Sequence, residues 1–345
     1  MGGCLAKHLQ RRKGARAIIF GAGLMGRHHA RAAASAAAAI AAVVDQDPSA
    51  AAALAACWPG AIAETDPGRA VRAAGGDVAH ICTPLASHGA IADAVADAGL
   101  HALIEKPLAA NAPEVRRIHE AFARSGKLAC PAHQYAFQGS VSDAAAWLAG
   151  AGSGAIRRIA FDICSAGAAN GLDPDAVIAD ILPHPLSVVQ KLLPGADLAE
   201  LEWAYLRPAA GEWLVSAPVD GAALVIQLSM KGRPTRFMTR ITADHGTMEL
   251  DNFHDFAVAW AGKVSRGAKI VQPFQRSGLG LLAAGMNLAA RTARREFAYP
   301  GLQTLVGEFY RAAGSGGAVP PPVTAQQSIA VAEARDRIIA LAAHG

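Results

Sequence analysis

The sequence predicts an α/β protein with two domains: an N-terminal doubly wound parallel sheet, followed by an α+β domain with an open, mostly antiparallel sheet. In the first half, short apolar runs alternate with alanine-rich helical stretches. After about residue 150, strand-like runs follow one another with little helix between them. A chain of 345 residues is long enough for two domains, which we place at residues 1–130 and 131–345, with the last helices free to pack back on the first domain.

Four runs in the first half have the near-continuous apolar character of strands that are buried on both faces of a parallel sheet. Helical stretches lie between them, and the last stretch carries Asn111 as a predicted N-cap, Pro113 in its first turn and Gly126 at its end. Because parallel strands need crossover connections, we expect helices on both faces. The four predicted strands are residues 15–20, 40–44, 77–82 and 101–105.

The second half is typical of an antiparallel sheet. A long strand is predicted at 154–164, and five shorter runs follow it, joined by turn residues such as Gly232-Arg233-Pro234 and His245-Gly246. Three helical stretches end the chain. One of them, residues 279–293, is amphipathic with basic residues toward its end. We expect it to pack on the sheet, and leave open that it covers an apolar substrate or contacts a membrane surface.

The composition favours a well-buried globular protein with a small-molecule partner. Hydrophobic residues make up 52% of the chain and charged residues 17%, and the net charge is +4. Lys and Arg are scattered, without the basic, aromatic-interleaved stripe that nucleic-acid binding needs. No apolar run has the length of a signal peptide or a membrane span. We therefore expect a cytoplasmic protein without a nucleic-acid or membrane partner.

Cysteine spacing bounds the metal and redox chemistry. The five cysteines are far apart, and none belongs to a C-x-x-C pair. A disulfide framework or a structural zinc site is therefore not expected, and a reducing compartment is the default. His245, Asp251 and His254 do not have the spacing of metal ligands either. We expect no metal.

The first predicted strand ends in a glycine-rich turn. Gly21, Gly23 and Gly26 have the G-x-G-x-x-G spacing between a strand and a helix, with Leu24 and Met25 inside the motif. The first glycine permits a tight turn, the second lets the backbone approach a pyrophosphate, and the third allows close helix–strand packing. The helix N-terminus favours the negative charge. These features predict a Rossmann dinucleotide site, and the histidines that follow at 28 and 29 are interpreted as ordinary helix residues.

The second predicted strand ends in an acid. Asp45 lies 19 residues after Gly26, where a carboxylate accepts hydrogen bonds from the adenosine ribose hydroxyls. It would repel a 2′-phosphate, and the adjacent Gln46 adds no compensating charge. The sequence therefore favours NAD over NADP as the cofactor.

Two further strand ends meet the same predicted crevice. Thr83 and Pro84 close one strand, and His88 begins the next helix. Glu105 and Lys106 end the strand at 101–105. In a doubly wound sheet the carboxyl ends of the strands line the ligand crevice, so we predict that these residues face the cofactor. From strand position alone, a solvated turn remains the alternative for the Glu–Lys pair.

Several segments together resemble the Gfo/Idh/MocA oxidoreductases, named for glucose-fructose oxidoreductase and inositol dehydrogenase. The resemblance covers nearly the whole chain in the right order, and it implies the two-domain layout described above. It also implies a homodimer or homotetramer formed through the C-terminal sheet, whose alternating apolar residues would otherwise be exposed. The similar segments are GAGLMGRHHA, VVDQDP, CTPLASHG, EKPLA, AHQYAFQ (132–138), ADILPHPLSVVQKLL (179–193) and HGTMELDNF (245–253).

The resemblance implies a catalytic centre as well. Lys106, in E-K-P, would lie close to the nicotinamide and the substrate, with a cis peptide bond to Pro107. A D-x-x-x-H motif matches Asp180 and His184. Histidine suits the base that takes a hydroxyl proton. Lys106 would stabilise developing negative charge on the same oxygen, and Asp180 would orient His184 or bind another substrate hydroxyl.

The chain departs from the family pattern around this histidine. The family usually has glycine two residues before it and often an acid three residues after it, where this chain has Leu182 and Ser187. Pro183 and Pro185 flank His184, so we do not expect a regular helix through residues 180–184. A purely structural His184 remains the alternative.

A second departure concerns the substrate. Where relatives often carry asparagine and then arginine, this chain has His133, Gln134 and Tyr135, which we predict to contact the substrate. The missing arginine disfavours acidic and sugar-phosphate substrates and leaves polyols.

We therefore expect an NAD-dependent dehydrogenase or reductase that interconverts a secondary alcohol and a ketone on a polyol or sugar-like substrate. One alternative is a C=N or C=C reductase, or a redox-neutral NAD-using enzyme, acting on a specialised metabolite. The apolar helix at 279–293 and the segment Leu182-Pro183-His184-Pro185 motivate it. Another is a non-enzymatic dinucleotide sensor. The presence of Lys106, Asp180 and His184 together argues against a sensor.

Overall fold

The computed structural model describes residues 14–150, 152–166, 171–262, 265–294 and 298–344. Cys4, the first of the five cysteines, lies outside these residues. The described chain forms one sheet of six strands and one of seven. The four described cysteines are free thiols, and no group of three or more potential ligands in the described ranges could hold a metal ion.

The first sheet, sheet A, is parallel throughout. Its strands run in the order β3-β2-β1-β4-β5-β6, which is the order of a dinucleotide-binding Rossmann sheet. This confirms the predicted doubly wound domain. The predicted domain boundary at residue 130 stays a prediction, although sheet A ends at Pro131. The strands are β1 (Arg16–Phe20), β2 (Ala39–Val44), β3 (Ile62–Glu64), β4 (Val78–Ile81), β5 (His101–Ile104) and β6 (Ala129–Pro131).

Five helices connect these strands, and three of them begin with the same local device. Asp47, Asp66 and Asn111 each accept a hydrogen bond from a backbone N–H in the first turn, and a proline follows in that turn. The N-cap predicted at Asn111 is therefore present. The helices are α1 (Leu24–Ser35), α2 (Pro48–Ala55), α3 (Pro67–Ala74), α4 (His88–Asp97) and α5 (Ala112–Arg124).

The second sheet, sheet B, is mostly antiparallel, as predicted. Its order is β13-β12-β11-β7-β10-β9-β8, and only the central β7–β10 pair is parallel. The strands are β7 (Ile156–Cys164), β8 (Ala204–Ala209), β9 (Glu212–Val219), β10 (Ala222–Ser229), β11 (Arg236–Ala243), β12 (Gly246–Asp251) and β13 (Phe256–Ala261).

Helices of the same chain cover the apolar face of sheet B. Phe161, Val215 and Ile226 are fully buried in a core that these helices share. The opposite face carries charged and polar side chains such as Arg158, Asp162 and Gln227. The expectation that alternating apolar residues of this sheet stay exposed is therefore wrong, because the chain covers them itself. The covering helices are α6 (Gly139–Ala149), α7 (Pro174–Ile181), α8 (Pro183–Leu192) and α11 (Ala325–His344).

The last helices also reach sheet A. Helix α10 (Leu302–Ala313) packs against α1, and its Leu305 and Phe309 are buried with Leu103 of β5. Helix α11 contacts both α5 and α8. The two sheets are thus joined by helices from the end of the chain.

Helix α9 (Arg266–Arg294) has the reverse of the expected orientation. It contacts β13 at the edge of sheet B, yet its apolar stripe faces solvent. Ile270, Phe274, Leu281 and Leu288 lie on one side of the helix and are 73%, 79%, 77% and 68% exposed. The stretch at 279–293 therefore does not pack its apolar side on the sheet. Within the described ranges, no helix is long and apolar enough to cross a membrane.

Candidate active site

The glycine loop between β1 and α1 is shaped by close backbone approach. Gly21 has φ +94°, and a Cβ there would lie 2.6 Å from the Cys82 carbonyl oxygen. A Cβ on Gly26 would lie 1.8 Å from the Gly21 carbonyl oxygen. A Cβ on Gly23 would meet nothing within 4 Å, and no side chain caps α1 at this residue. The helix N-terminus is therefore open to an anion, as a pyrophosphate site requires.

Asp45 lies beside this loop. Its carboxylate accepts hydrogen bonds from the backbone N–H of Ala22 at 2.7 Å and of Asp47 at 3.0 Å. Each oxygen keeps a further lone pair for a ribose hydroxyl. Gln46 is exposed next to it, Leu24 is exposed within the loop and Met25 is half-buried. The arrangement fits NAD, with Asp45 at the predicted ribose position.

His88 is placed behind the site. It is buried, and its Nε2 lies 2.9 Å from the carbonyl oxygen of Thr83 while its Nδ1 lies 3.1 Å from that of Pro107. The ring therefore links the end of β4 to the loop after β5, and both ring nitrogens are engaged by backbone. Thr83 and Pro84 lie at the strand end, where the Thr83 hydroxyl accepts a hydrogen bond from Ser87.

Lys106 links the end of β5 in sheet A to Asp180 on α7, the helix that covers sheet B. Its peptide bond to Pro107 is cis, as the family resemblance implied. Its Nζ donates to the Asp180 carboxylate at 2.7 Å and to the Asp180 carbonyl oxygen at 3.1 Å. The Lys106 side chain is 14% exposed and that of Asp180 50%. The structure therefore brings together two of the three predicted catalytic residues.

Glu105 is the buried partner of this lysine. One carboxylate oxygen accepts a hydrogen bond from the Lys106 backbone N–H at 3.1 Å, and the other lies 2.9 Å from His29 Nε2. Burial by itself raises the pKa of Glu105, but the His29 hydrogen bond and the charge of Lys106 bring that pKa below its ordinary value. The Glu105 carboxylate is therefore ionised. Because Glu105 is buried, the alternative of a solvated turn at this position is wrong.

His184 lies where two helices meet. Helix α7 ends at Ile181 and α8 begins at Pro183, so the expected break before His184 is present. The His184 ring packs edge-on against Tyr135 with centroids 4.6 Å apart. Burial and the charge of Lys106 hold the pKa of His184 well below its ordinary value. A neutral imidazole at this place is able to accept a proton.

Three buried polar atoms of the site have no hydrogen-bond partner among the described residues: His133 Nδ1, Gln134 Oε1 and His184 Nδ1. Burial lowers the pKa of His133 to about 4, so this ring is neutral as well. Buried polar atoms are normally satisfied, and a ligand that supplies hydroxyl groups would satisfy these.

A cavity of about 500 Å³ opens beside Asp180, on the side of α7. It provides room for a ligand next to the Lys106–Asp180 pair. Its lining residues are Ser165, Leu172, Asp173, Ala176, Val177, Asp180 and Ile181.

Sequence reasoning missed three side chains near this site. His29 and His80 are fully buried and contact each other at 3.0 Å between their Nδ1 atoms. Tyr299 is close enough to Glu105 that burial and the Glu105 charge raise the pKa of its hydroxyl. Only the position of His29 after the glycine loop gave a signal; nothing local marks His80 or Tyr299.

The comparisons with known proteins agree with this geometry. Residues 15–133 match the model of the Gfo/Idh/MocA oxidoreductase family, described as an NAD-binding Rossmann fold. No curated protein matches the chain.

Solved structures extend the likeness to almost the whole chain. The WlbA dehydrogenase from Bordetella pertussis, in complex with NADH and UDP-GlcNAcA, has a TM-score of 0.76 at 15% identity, with 97% of each chain covered. An inositol dehydrogenase homologue from Azotobacter vinelandii, complexed with NAD+, has a TM-score of 0.69 at 18% identity, covering 97% of this chain and 96% of that one. UDP-N-acetylglucosamine 3-dehydrogenase GnnA from Acidithiobacillus ferrooxidans has a TM-score of 0.69 at 19% identity, covering 95% and 97%. At these identities the likeness establishes the fold.

Proposed function

We propose that this chain, whose residues 15–133 match the model of the Gfo/Idh/MocA family of NAD-binding oxidoreductases, interconverts a secondary alcohol and a ketone on a polyol or sugar-like substrate. The observation that carries the proposal is the Lys106–Asp180 pair at 2.7 Å beside a neutral, buried His184. NAD, held at the glycine loop and by Asp45, would supply the acceptor for the hydride of the carbinol carbon.

The side chains handle the proton. His184 takes the hydroxyl proton as the C–H bond breaks, because its ring is neutral and its Nδ1 has no hydrogen-bond partner among the described residues. Lys106 donates a hydrogen bond to the same substrate oxygen and stabilises the negative charge that develops there. Asp180, which also lines the cavity beside α7, holds the lysine Nζ. In the reverse direction the same groups return the proton to the ketone oxygen.

A neutral, hydroxyl-rich substrate fits the surroundings best. The unpartnered atoms of His133, Gln134 and His184 belong to uncharged groups, which suit hydroxyl groups better than a carboxylate or phosphate. The alternative of a reductase for an apolar metabolite drew on the helix at 279–293, and the apolar stripe of α9 faces solvent. This removes one motivation for that alternative and leaves the segment Leu182-Pro183-His184-Pro185 as the other.

The test is to incubate the protein with NAD and each member of a substrate panel, and to monitor the formation of NADH by its absorbance. The panel contains myo-inositol, levoglucosan and UDP-N-acetylglucosamine, and chromatography of each reaction detects any redox-neutral product. We expect one panel class to be oxidised, and Lys106→Ala or His184→Asn to lower kcat/KM by about 10²–10⁴-fold. Lys231→Ala, on an exposed turn, is the matched control.

Two results would contradict the proposal. Variants at Lys106 and His184 that stay within a few-fold of the wild type would remove the mechanism. Full NAD binding without turnover across the panel would favour the dinucleotide sensor instead.

We also infer a homo-oligomer formed through the C-terminal domain, with α9 in the interface. Ile270, Phe274, Leu281 and Leu288 form a stripe of exposed apolar side chains along α9, and contiguous exposed apolar surface is typical of an interaction site. Light scattering after size-exclusion chromatography should give a dimer or tetramer, and Phe274→Glu with Leu281→Glu should give monomers. A monomeric wild-type protein at micromolar concentration would overturn this part.

A further inference from the structure

A chain of buried polar side chains crosses the α1 face of sheet A, and the proposed hydride transfer does not use it. His29 of α1 and His80 of β4 have no exposed surface. Three contacts link the members: His29 Nε2 to Glu105 Oε1 at 2.9 Å, His29 Nδ1 to His80 Nδ1 at 3.0 Å, and His80 Nε2 to the Tyr310 hydroxyl at 2.8 Å. Each contact joins one atom of one side chain to one atom of the next. The donor and the acceptor of each hydrogen bond can therefore be assigned in turn.

The assignment starts from Glu105. An ionised carboxylate only accepts hydrogen bonds. Its second oxygen is already engaged by the Lys106 N–H. His29 Nε2 therefore carries a hydrogen and donates it to Glu105, which leaves the state of His29 Nδ1 to be decided by His80.

His80 and Tyr310 decide the remaining direction. Burial holds the pKa of His80 well below its ordinary value, so His80 is neutral and carries one hydrogen. Burial raises the pKa of Tyr310, which keeps its proton. Within the described chain the Tyr310 hydroxyl has His80 Nε2 as its hydrogen-bond partner.

Only one direction satisfies every atom without burying a cation. Tyr310 donates to His80 Nε2, His80 Nδ1–H donates to His29 Nδ1, and His29 Nε2–H donates to Glu105. In the opposite direction His29 would be a buried imidazolium and the Tyr310 hydrogen would have no acceptor among the described residues.

We propose that His29, His80 and Tyr310 are positioning residues, which through this one-directional chain hold Glu105 as a fixed anion against the backbone N–H of Lys106. The proposal rests on the proposed function, in which Lys106 contacts the reacting oxygen. Without these hydrogen bonds, the Glu105 carboxylate would stay buried but lose its partner His29. It would then rotate or take up a proton. The Lys106 peptide would then lose its acceptor.

The first test reads the chain directly, without substrate. Nitrogen-15 NMR of the histidine-labelled full chain, alone and with NAD, should show His80 protonated at Nδ1 and bare at Nε2, and His29 protonated at Nε2. The Tyr310→Phe variant, which removes one oxygen, should lose this single tautomer at His80. A His80 that is bare at Nδ1 in the wild type would overturn the proposal.

The second test measures the effect on Lys106. Hydrogen exchange followed by mass spectrometry should show the Lys106 amide exchanging about three- to tenfold faster in Tyr310→Phe than in the wild type. His29→Leu should increase exchange further. His29→Gln should restore it, because a glutamine amide donates with its nitrogen and accepts with its oxygen, as His29 does in the assigned direction.

The third test uses turnover of the panel sugar that the wild type oxidises fastest. Tyr310→Phe should lower kcat about three- to tenfold with KM unchanged. Tyr205→Phe, which removes a buried hydroxyl from β8, is the control and should leave kcat unchanged.

Two outcomes contradict the positioning role: His29→Gln as impaired as His29→Leu, or Tyr310→Phe with the Lys106 amide exchange of the wild type. A failure of the proposed function is distinct from both. In that case Lys106→Ala keeps its activity while the tautomers and the amide exchange behave as described.

Discussion

The glycine loop after β1 and the polar cluster around Lys106 lie at the same edge of sheet A, but they are held by opposite means. In the loop, a side chain at Gly21 or Gly26 would collide with a backbone carbonyl oxygen. In the cluster, side chains from distant segments meet, as Lys106 does with Asp180. The loop thus depends on missing side chains within one short segment, whereas the cluster depends on tertiary folding. Substitutions in the loop should therefore act on the fold and the cofactor, and those in the cluster on chemistry and on pH dependence.

The largest effect is expected in the loop itself. Gly26→Ala places a Cβ 1.8 Å from the Gly21 carbonyl oxygen, so the free energy of unfolding should fall by about 3 kcal/mol and NAD binding should be lost. Gly23→Ala is the matched control, because its Cβ meets nothing within 4 Å. It should keep the stability of the wild type and lose NAD affinity. Urea unfolding and NADH fluorescence titration measure the two effects; equal stabilities would contradict the close approach at Gly26.

The next effect belongs to the cluster and depends on pH. The pKa of His133 is about 4 in the folded chain, against an ordinary value of 6.5. The unfolded state therefore binds a proton first, so stability falls as the pH drops from about 6.5 to 4, by about 3 kcal/mol in total, and is unaffected above this range. His133→Asn should make this decline shallower in urea unfolding at several pH values.

The control is His254→Asn, since His254 is largely exposed. Its stability profile should superimpose on that of the wild type. Burial also lowers the pKa of His119 to about 4, so protonation of His119 causes part of the loss of stability at low pH in every variant. A His133→Asn profile identical to the wild type would contradict the described burial of His133.

Asp180→Asn separates positioning from stability. The half-exposed ion pair with Lys106 contributes about 0–1 kcal/mol to folding, so the melting temperature should change little. The freed Lys106 Nζ should lower kcat/KM by about 10- to 100-fold. Asp143→Asn, on the exposed side of α6, should change neither quantity. A loss of stability without a loss of activity would reverse this assignment.

The smallest effect concerns the nucleotide. Asp45→Asn removes the charge that opposes a 2′-phosphate and keeps an oxygen for the Ala22 N–H. The ratio of NADP to NAD affinity should rise about tenfold. Asp47→Asn, two residues away at the N-cap of α2, is the control. An unchanged ratio would mean that Asp45 does not face the ribose.

The same comparison explains what could be predicted. The glycine spacing, Asp45 and the alternation of strands and helices in the first half follow from local patterns, since each strand and turn is encoded within a few residues. The short β3 was not predicted, because three largely exposed residues give no apolar run.

The residues of the cluster around Lys106 could be predicted only from the family resemblance. The buried side chains that support the cluster, His29, His80 and Tyr310, were not predicted. The three contacts of the buried chain join residues that are 51, 76 and 230 positions apart. No spacing rule relates such positions. Periodicity in α9 likewise predicted an apolar face but not its direction, because the direction depends on what the rest of the chain leaves uncovered.

The place of Tyr310 on α10 has a consequence for the order of events during synthesis. The chain leaves the ribosome N-terminus first, so β1, α1 and the whole of sheet A emerge long before α10 and α11. The nucleotide loop is complete in an elongating chain whose Lys106 still lacks Asp180, and whose His80 still lacks its tyrosine. The residues that would hold the dinucleotide are thereby synthesised ahead of those that complete the reaction site, and the last of these arrive with the final helices.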